Sequence, residues 1–285
     1  MASELVRQLV ESGIHYGHRA SRWDPKMKPY IFGKRNTIHI IDIRETVKGL
    51  LRAKKLVGQV VAKGQDVLFV GTKRQARSSV EDHARRVGMP FVAERWLGGT
   101  LTNFRTIRSR LARLEELERE EADGTLLKYS KKMIASRTRE LRKIKRNLDG
   151  IRNMTKMPGA MIVIDVAREH NAVKEARKAG IPTICLIDTD SNPGYADIPI
   201  PGNDDSMRSI DLVIKMLADA AAEGLKARAT MKEEAPAAQQ EAPRPRRRFS
   251  ENRPAPAADQ PTGSDVEPAG IGADGTGGPA AGGSA

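Results

Sequence analysis

Apolar positions along this chain follow three spacings, and each predicts a different kind of element. Unbroken apolar runs occur at Asp66–Gly71 (DVLFVG), Ala160–Asp165 (AMIVID) and Thr183–Asp188 (TICLID). Bounded by turn residues, they predict strands buried on both faces. Shorter runs at Phe91-Val92, Ile198–Ile200 and Ile38–Asp42 predict further strands. Between them apolar residues recur at helical spacing. Leu5, Val6, Leu9 and Val10 predict a helix over Glu4–Ser12, ended by Gly13; Val47, Leu50, Leu51, Val57 and Val61 predict another over Glu45–Lys63. Helices follow over Lys73–Val87, Glu169–Ala179 and from Asp204 or Asp205, expected as the helix opener, to about Leu225. Strand–helix alternation of this kind implies a parallel sheet with right-handed crossovers and helices on both faces.

The third spacing lies between residues 105 and 156. Ile107, Leu111, Leu114 and Leu117 form one narrow stripe; Ile134, Leu141, Ile144, Leu148 and Ile151 form another, with Thr138 in the missing seam position. A narrow stripe with charge elsewhere predicts a coiled-coil hairpin, turning at Asp123-Gly124 and inserted into the sheet domain. Its first arm ends acidic and its second is basic, so the arms can pair charge; the bases outnumber the acids, and some must face outward. The hinge into the hairpin is Arg95–Arg108, RWLGGTLTNFRTIR. Thr102 or Asn103 is expected to cap a helix beginning at Phe104 or Arg105. Arginines at a helix start, where the peptide dipole is already positive, predict a negative partner, with phosphate the expected one. The organisation read from the sequence is thus a discontinuous α/β domain (1–104 and 157–226), a hairpin insertion (105–156) and an Ala-, Pro- and Gly-rich segment (227–285) expected to be disordered.

Charge sharpens this picture. The chain carries 49 Lys and Arg against 36 Asp and Glu, a net charge of +13. From Lys226 onward there are 8 of each sign, so the body keeps 41 − 28 = +13. That excess implies a polyanionic partner or an anionic membrane surface. No apolar run approaches the ~20 residues of a membrane span, and the first residues lack the pattern of a secretory signal. The cluster RPRRRF at 244–249 is read as a solvated tail, with a weak RNA or partner contact as the alternative. The single cysteine, Cys185, excludes an internal disulfide and fits a reducing cytosol. Aromatics are 4% of the chain, too few for recognition by many stacked bases.

Catalytic signatures are missing where the fold would carry them. GTKRQAR follows the first buried strand, in place of a glycine-rich nucleotide loop, and there is no nucleophile elbow. Asp165, Asp188, Asp190, Asp204 and Asp205 fall at or beyond strand ends, where α/β enzymes keep their sites; they are read as loop turns and a cap, with a divalent cation as the alternative. His15, His18 and His39 lack a further zinc ligand in any motif and are read as hydrogen-bonded or phosphate-facing. Trp23 and Tyr30 are expected to pack the long N-terminal loop, which reads as ordered, with stacking on a flipped base as the alternative.

Several runs together resemble one family: GIHYGHRASRWDPKMKPYIFGKRNTIHIID (13–42), FVGTKRQAR (69–77), RWLGGTLTNFRTIRSRL (95–111), AREHNAVKEARKAGIP (167–182) and IPGNDDSMRSI (200–210). In this order they are similar to small-subunit ribosomal protein 2 of the bacterial type, over roughly residues 3–225. The resemblance implies a flavodoxin-like domain with an inserted coiled-coil hairpin, no enzymatic activity and no cofactor. It implies a place in the cytoplasmic ribosome between head and body of the small subunit. The partners implied are small-subunit ribosomal RNA and neighbouring ribosomal proteins, including the large ribosomal protein 1, with no membrane and no homo-oligomer. The RNA-contacting cations expected are Arg19, Arg22, Lys26, Lys28, Lys34 and Arg35 in the N-terminal loop, Lys73, Arg74 and Arg77 at one helix start, and Arg95, Arg105 and Arg108 at the hinge. A nucleotide- or phosphoester-binding enzyme using Asp165, Asp188 and Asp204 is the competing reading; a scaffold that meets protein through the hairpin is a third.

Overall fold

The computed structural model describes residues 2–240; Met1 and residues 241–285, with the 244–249 cluster, lie outside the described residues. Five parallel strands form the central sheet: β4 (Val67–Val70), β5 (Phe91–Val92), β6 (Ala160–Ile164), β7 (Thr183–Ile187) and β8 (Ile198–Pro201). Their spatial order is β5-β4-β6-β7-β8. Counted within this sheet alone, that is 2-1-3-4-5, the flavodoxin-like order, with its switch point between β4 and β6. Register follows the hydrophobic runs, with Val67 opposite Ala160, Met161 opposite Thr183 and Ile184 opposite Ile198.

Because side chains alternate along a strand, each unbroken run serves two cores. Val67, Phe69, Ile162, Ile164, Ile184 and Leu186 enter one, with α1 (Ala2–Glu11), α2 (Ile43–Ala62), α3 (Arg77–Arg86) and α7 (Met207–Gln240). Leu68, Val70, Met161, Val163, Cys185 and Ile187 enter the other, with α6 (His170–Ala179), Trp96, Leu101 and the base of the hairpin. Cys185 is fully buried and burial pushes its thiol up to about 12, so it behaves as a small apolar residue. The hairpin is α4 (Phe104–Ala122) and α5 (Lys131–Leu148). Ile107, Leu111 and Leu148 at its base join the second core, whereas Leu114, Leu117 and Leu141 form a separate cluster further out. Across the arms Glu118 meets Arg152 at 2.6 Å and Lys145 at 3.5 Å, and Glu120 meets Arg137.

Several elements differ from the sequence reading. The N-terminal stretch is a three-stranded antiparallel sheet, not a loop leading to one strand: β1 (Tyr16–Arg19), β2 (Ile31–Arg35) and β3 (Ile38–Ile41), in the order β1-β3-β2. Asn36 and Thr37 turn β2 into β3 with φ of 46° and 68°; positive φ at both central residues is what a two-residue hairpin needs. Helix α3 starts at Arg77 rather than Lys73. Helix α7 continues to Gln240, past the boundary expected near Ala227, because an Ala-, Lys- and Glu-rich stretch propagates a helix that is already nucleated.

Helix α2 crosses β8 at Gly49, where an added Cβ would lie 2.4 Å from the Pro199 carbonyl oxygen. That neighbour is backbone and cannot rotate away. Gly49→Ala is therefore expected to destabilise the domain by about 1–3 kcal/mol, seen as a lower urea midpoint with an unchanged m-value. An unchanged midpoint would mean that α2 and β8 are not rigidly apposed.

Candidate nucleic-acid interface

At the carboxyl ends of the central strands, the carboxylates seen in the sequence converge on two cations. The Lys73 Nζ lies 2.7 Å from Asp204, 2.6 Å from Asp205 and 3.3 Å from Asp165. The His18 Nδ1 lies 2.9 Å from Asp188 Oδ2, and its Nε2 lies 3.3 Å from Asp205. Strand β1 delivers His18 through Gly17, where a Cβ would come within 2.6 Å of the Thr189 side chain, and the His18 amide donates to Thr189 Oγ1 at 2.9 Å. The Asp188 carboxylate on its ring, outweighing burial, raises the His18 pKa to about 9. Burial, with Asp165 and Asp188 nearby, raises Asp204 to about 7 against the pull of Lys73. Burial would lower the Lys73 pKa, but Asp204, Asp205 and Asp165 more than offset it and raise it. Burial likewise raises Glu169, whose carboxylate accepts from the Thr72 amide and hydroxyl.

This network changes three sequence expectations. Lys73, expected as a phosphate contact, is 13% exposed and held among carboxylates. Asp204 does not open α7: the Asn203 side chain accepts from the Asp205 and Ser206 amides, and the Ser206 hydroxyl accepts from Ser209. The acidic loops are not mere turns. His18, Asp188 and Asp204 bring ligand atoms within 4.8 Å of one another, a donor set that suits a divalent cation once His18 is deprotonated.

The turn that leads into the hairpin is held by a carboxylate of the protein itself. From α6, the Glu175 carboxylate accepts from Trp96 Nε1 (3.1 Å) and from the amides of Gly99 (2.8 Å), Leu101 (3.0 Å) and Thr102 (3.2 Å). Burial would raise its pKa, but these donors, led by Gly99, hold it below the ordinary value. Gly99 makes this turn at φ 92°. Asn103 stands at the N-cap position of α4 without capping it: its side chain accepts from the Thr106 hydroxyl at 2.8 Å. An internal carboxylate thus ties down the turn before α4, while Arg95, Arg105 and Arg108 stay exposed and unpaired with it.

The remaining predicted cations lie mostly at the surface. Arg19, Arg22, Lys26, Lys28, Lys34 and Arg35 are exposed around the small antiparallel sheet. Arg74, Arg95, Arg105 and Arg108 are exposed as well, although an Arg108 Nη donates to the Met154 carbonyl at 3.2 Å. Arg77 is half-buried against Glu94 at 3.0 Å. Trp23 stacks at a tilt on His39, with ring centroids 5.1 Å apart, and Tyr30 packs against the second core, so both aromatics are used within the fold. Sequence reasoning gave no site role to Arg142, Lys143, Arg146 and Arg168. The structure gathers them with Arg77 and Arg95 around one cleft of about 590 Å³. For Arg142, Lys143 and Arg146 the signal was the count of cations on one arm; their convergence with Arg168 depends on how the hairpin meets the sheet. Among the described residues no helix is long and apolar enough to cross a membrane.

Comparison with known proteins agrees with this geometry. The profile of the family described as "Ribosomal protein S2" matches residues 9–224. The chain is 59% identical over 224 residues to the small ribosomal subunit protein uS2 of Rhodopirellula baltica, covering 79% of this chain and 86% of that one. It is 53% identical to the uS2 of Mycobacterium ulcerans (80% and 83% covered) and 49% identical to that of Acidothermus cellulolyticus (80% and 84%). A flavodoxin-like sheet carrying a basic hairpin, matched along almost its whole folded length, places this chain in the ribosomal protein S2 family.

Proposed function

We propose that this small-subunit ribosomal protein holds small-subunit ribosomal RNA between the head and body of the particle, through phosphate contacts, and supports docking of the large ribosomal protein 1. The observation that carries the RNA part is the surface itself: a net charge of +13 confined to the folded body, with exposed arginines and lysines on the N-terminal sheet, the hinge and the hairpin. Phosphate contacts of this kind position a protein without reading sequence. Trp23 and Tyr30, the two aromatics of the N-terminal stretch that could have stacked on bases, make contacts within the fold instead. The protein-docking part is supported by a surface of opposite character. Phe32, 79% exposed, stands over an apolar groove of about 680 Å³ between α1, β3 and α2, lined also by Val6, Ile40 and Val47.

The family is one of ribosomal proteins and not of enzymes. The carboxylates that an enzyme reading would use are turned onto Lys73 and His18. If about six phosphates are held, affinity of the full chain for small-subunit ribosomal RNA should fall roughly a thousandfold between 50 and 200 mM salt. Filter binding across that range tests this. Salt-insensitive binding, or stoichiometric binding of a nucleotide with magnesium in a calorimeter, would defeat the proposal.

A further inference from the structure

The cleft beside the hinge lies at the switch point of the sheet, between the carboxyl ends of β4 and β6, where open α/β folds bind phosphate-bearing ligands. Its walls come from four separate parts of the chain. Arg77 opens α3, Arg95 follows β5, Arg168 lies between β6 and α6, and Arg142, Lys143 and Arg146 come from α5 of the inserted hairpin. Six cations therefore face a single carboxylate, Glu94. Glu94 is engaged already, by Arg77 at 3.0 Å and by Arg146 at 2.9 Å. Arg95, Arg142, Lys143 and Arg168 have no carboxylate within ion-pair distance among the described residues. The Arg168 guanidinium is steered into place by a neutral hydroxyl, its Nε donating to Thr72 Oγ1 at 3.1 Å, while its backbone amide donates to the Asp165 carboxylate at 3.0 Å. Helix α3 starts here with no side-chain cap and no acidic residue in its first turn. Like charges gathered this closely repel one another, and an anion placed among them relieves that repulsion.

We propose that this cleft seats the sugar–phosphate backbone of RNA, gripping one strand between the sheet domain and the base of the hairpin. The inference rests on the RNA-binding reading above and assigns it a site. A polymer fits better than a free nucleotide for two reasons. No aromatic side chain lines the cleft to stack on a base. The basic face also continues outward along α5, where Lys132, Arg139 and Arg146 are all exposed and recur every seven residues on one side of the helix. A mononucleotide would use only the cleft, whereas a strand can follow the stripe. Seated there, RNA would also fix the angle at which the hairpin leaves the body, because it is held from both sides of the hinge.

The test uses the full chain and small-subunit ribosomal RNA, with affinity measured at several salt concentrations. Arg142→Gln, Lys143→Gln and Arg168→Gln together should lower the slope of log affinity against log salt by about 2 and weaken binding at least tenfold at low salt. Arg142→Lys with Arg168→Lys should keep most of both, since phosphate tracking needs charge more than shape. Arg52→Gln with Lys55→Gln, on the exposed side of α2, should change little. Thermal melts confirm that each variant is folded. An independent arm places a photoreactive side chain at Asn147, which lines the cleft, and looks for a crosslink to RNA in assembled small subunits. An unchanged slope in the triple variant while the parent binds RNA, or no crosslink from position 147, would overturn the cleft and leave the RNA reading standing. A parent chain that binds no RNA would remove both. Stoichiometric binding of AMP or inorganic phosphate, lost in the triple variant without any loss of RNA affinity, would make the cleft a small-ligand site and overturn the proposal as well.

Discussion

Glu175→Ala is expected to lower the melting temperature of the full chain by roughly 10 °C and to redden the emission of Trp96. The carboxylate accepts from the indole and from three backbone amides of the hinge, and the Thr102 hydroxyl also lies 3.2 Å from it. No other acceptor replaces it when the side chain is removed. Each donor left dry costs about 1–3 kcal/mol, while those that reach water cost less, so a total of about 3 kcal/mol is expected. In a domain of this size each kcal/mol moves the midpoint by about 2–4 °C. Glu175→Gln keeps one acceptor oxygen and should fall between the two. Trp23→Phe in the background leaves Trp96 as the only tryptophan, so with excitation at the red edge, where tyrosine does not absorb, the spectral change reports on the hinge. The sign with pH follows from the depressed pKa. The contribution of Glu175 is present above the ordinary carboxylate value and is lost as pH falls through the folded one, so the variant should lose part of the parent's acid sensitivity. A variant melting within a degree of the parent would show that the hinge is held by something else.

How far the sequence alone leads is clear from particular stretches. DVLFVG, AMIVID and TICLID were legible as strands because a strand buried on both faces has no polar position, and the structure divides each between two cores. The hairpin was legible because Leu111, Leu114 and Leu117 keep a spacing that only a helix seam uses. Strands β1 (YGHR) and β2 (IFGKR) were not, since neither alternates and both are short and basic. They exist because β3 pairs with both and because His18 bonds Thr189, 171 residues away. Nothing in a helix reading AREHNAVKEARKAG singles out Glu175 from its charged neighbours; its role comes from amides more than seventy residues distant. NDDS, at 203–206, offers four capping residues in a row, and local preference cannot choose among them. Charge was legible as a quantity and not as a map. The sequence shows that the body is cationic, but only the fold shows Lys73 turned inward and Arg142, Lys143, Arg146 and Arg168 gathered at a cleft.

The inward lysine leads to the other large expectation. Asp204 is 1% exposed and stands near Asp165 and Asp188 with Lys73 as the cation against it. Removing one partner of a buried ion pair leaves the other charge uncompensated, at about 3–5 kcal/mol. Lys73→Met, studied with a chelator present, should therefore lose about that much stability at pH 8. The loss should depend on pH in a definite direction. Asp204 titrates near 3.8 when unfolded and at about 7 in the fold with Lys73 in place; without the lysine its folded value rises further. A carboxyl whose folded pKa exceeds its unfolded one binds more protons in the native state, so stability falls as pH rises through that window. The deficit of Lys73→Met should be largest at pH 8 and shrink as the buffer is lowered towards pH 5, where Asp204 takes up a proton and needs no cation. Adding Asp204→Asn should recover most of the loss at pH 8 and flatten the profile. Urea melts at several pH values measure all of this. A deficit of constant size from pH 5 to 8 would mean that Lys73 stabilises the fold through its aliphatic stem rather than by neutralising the carboxylates around its ammonium.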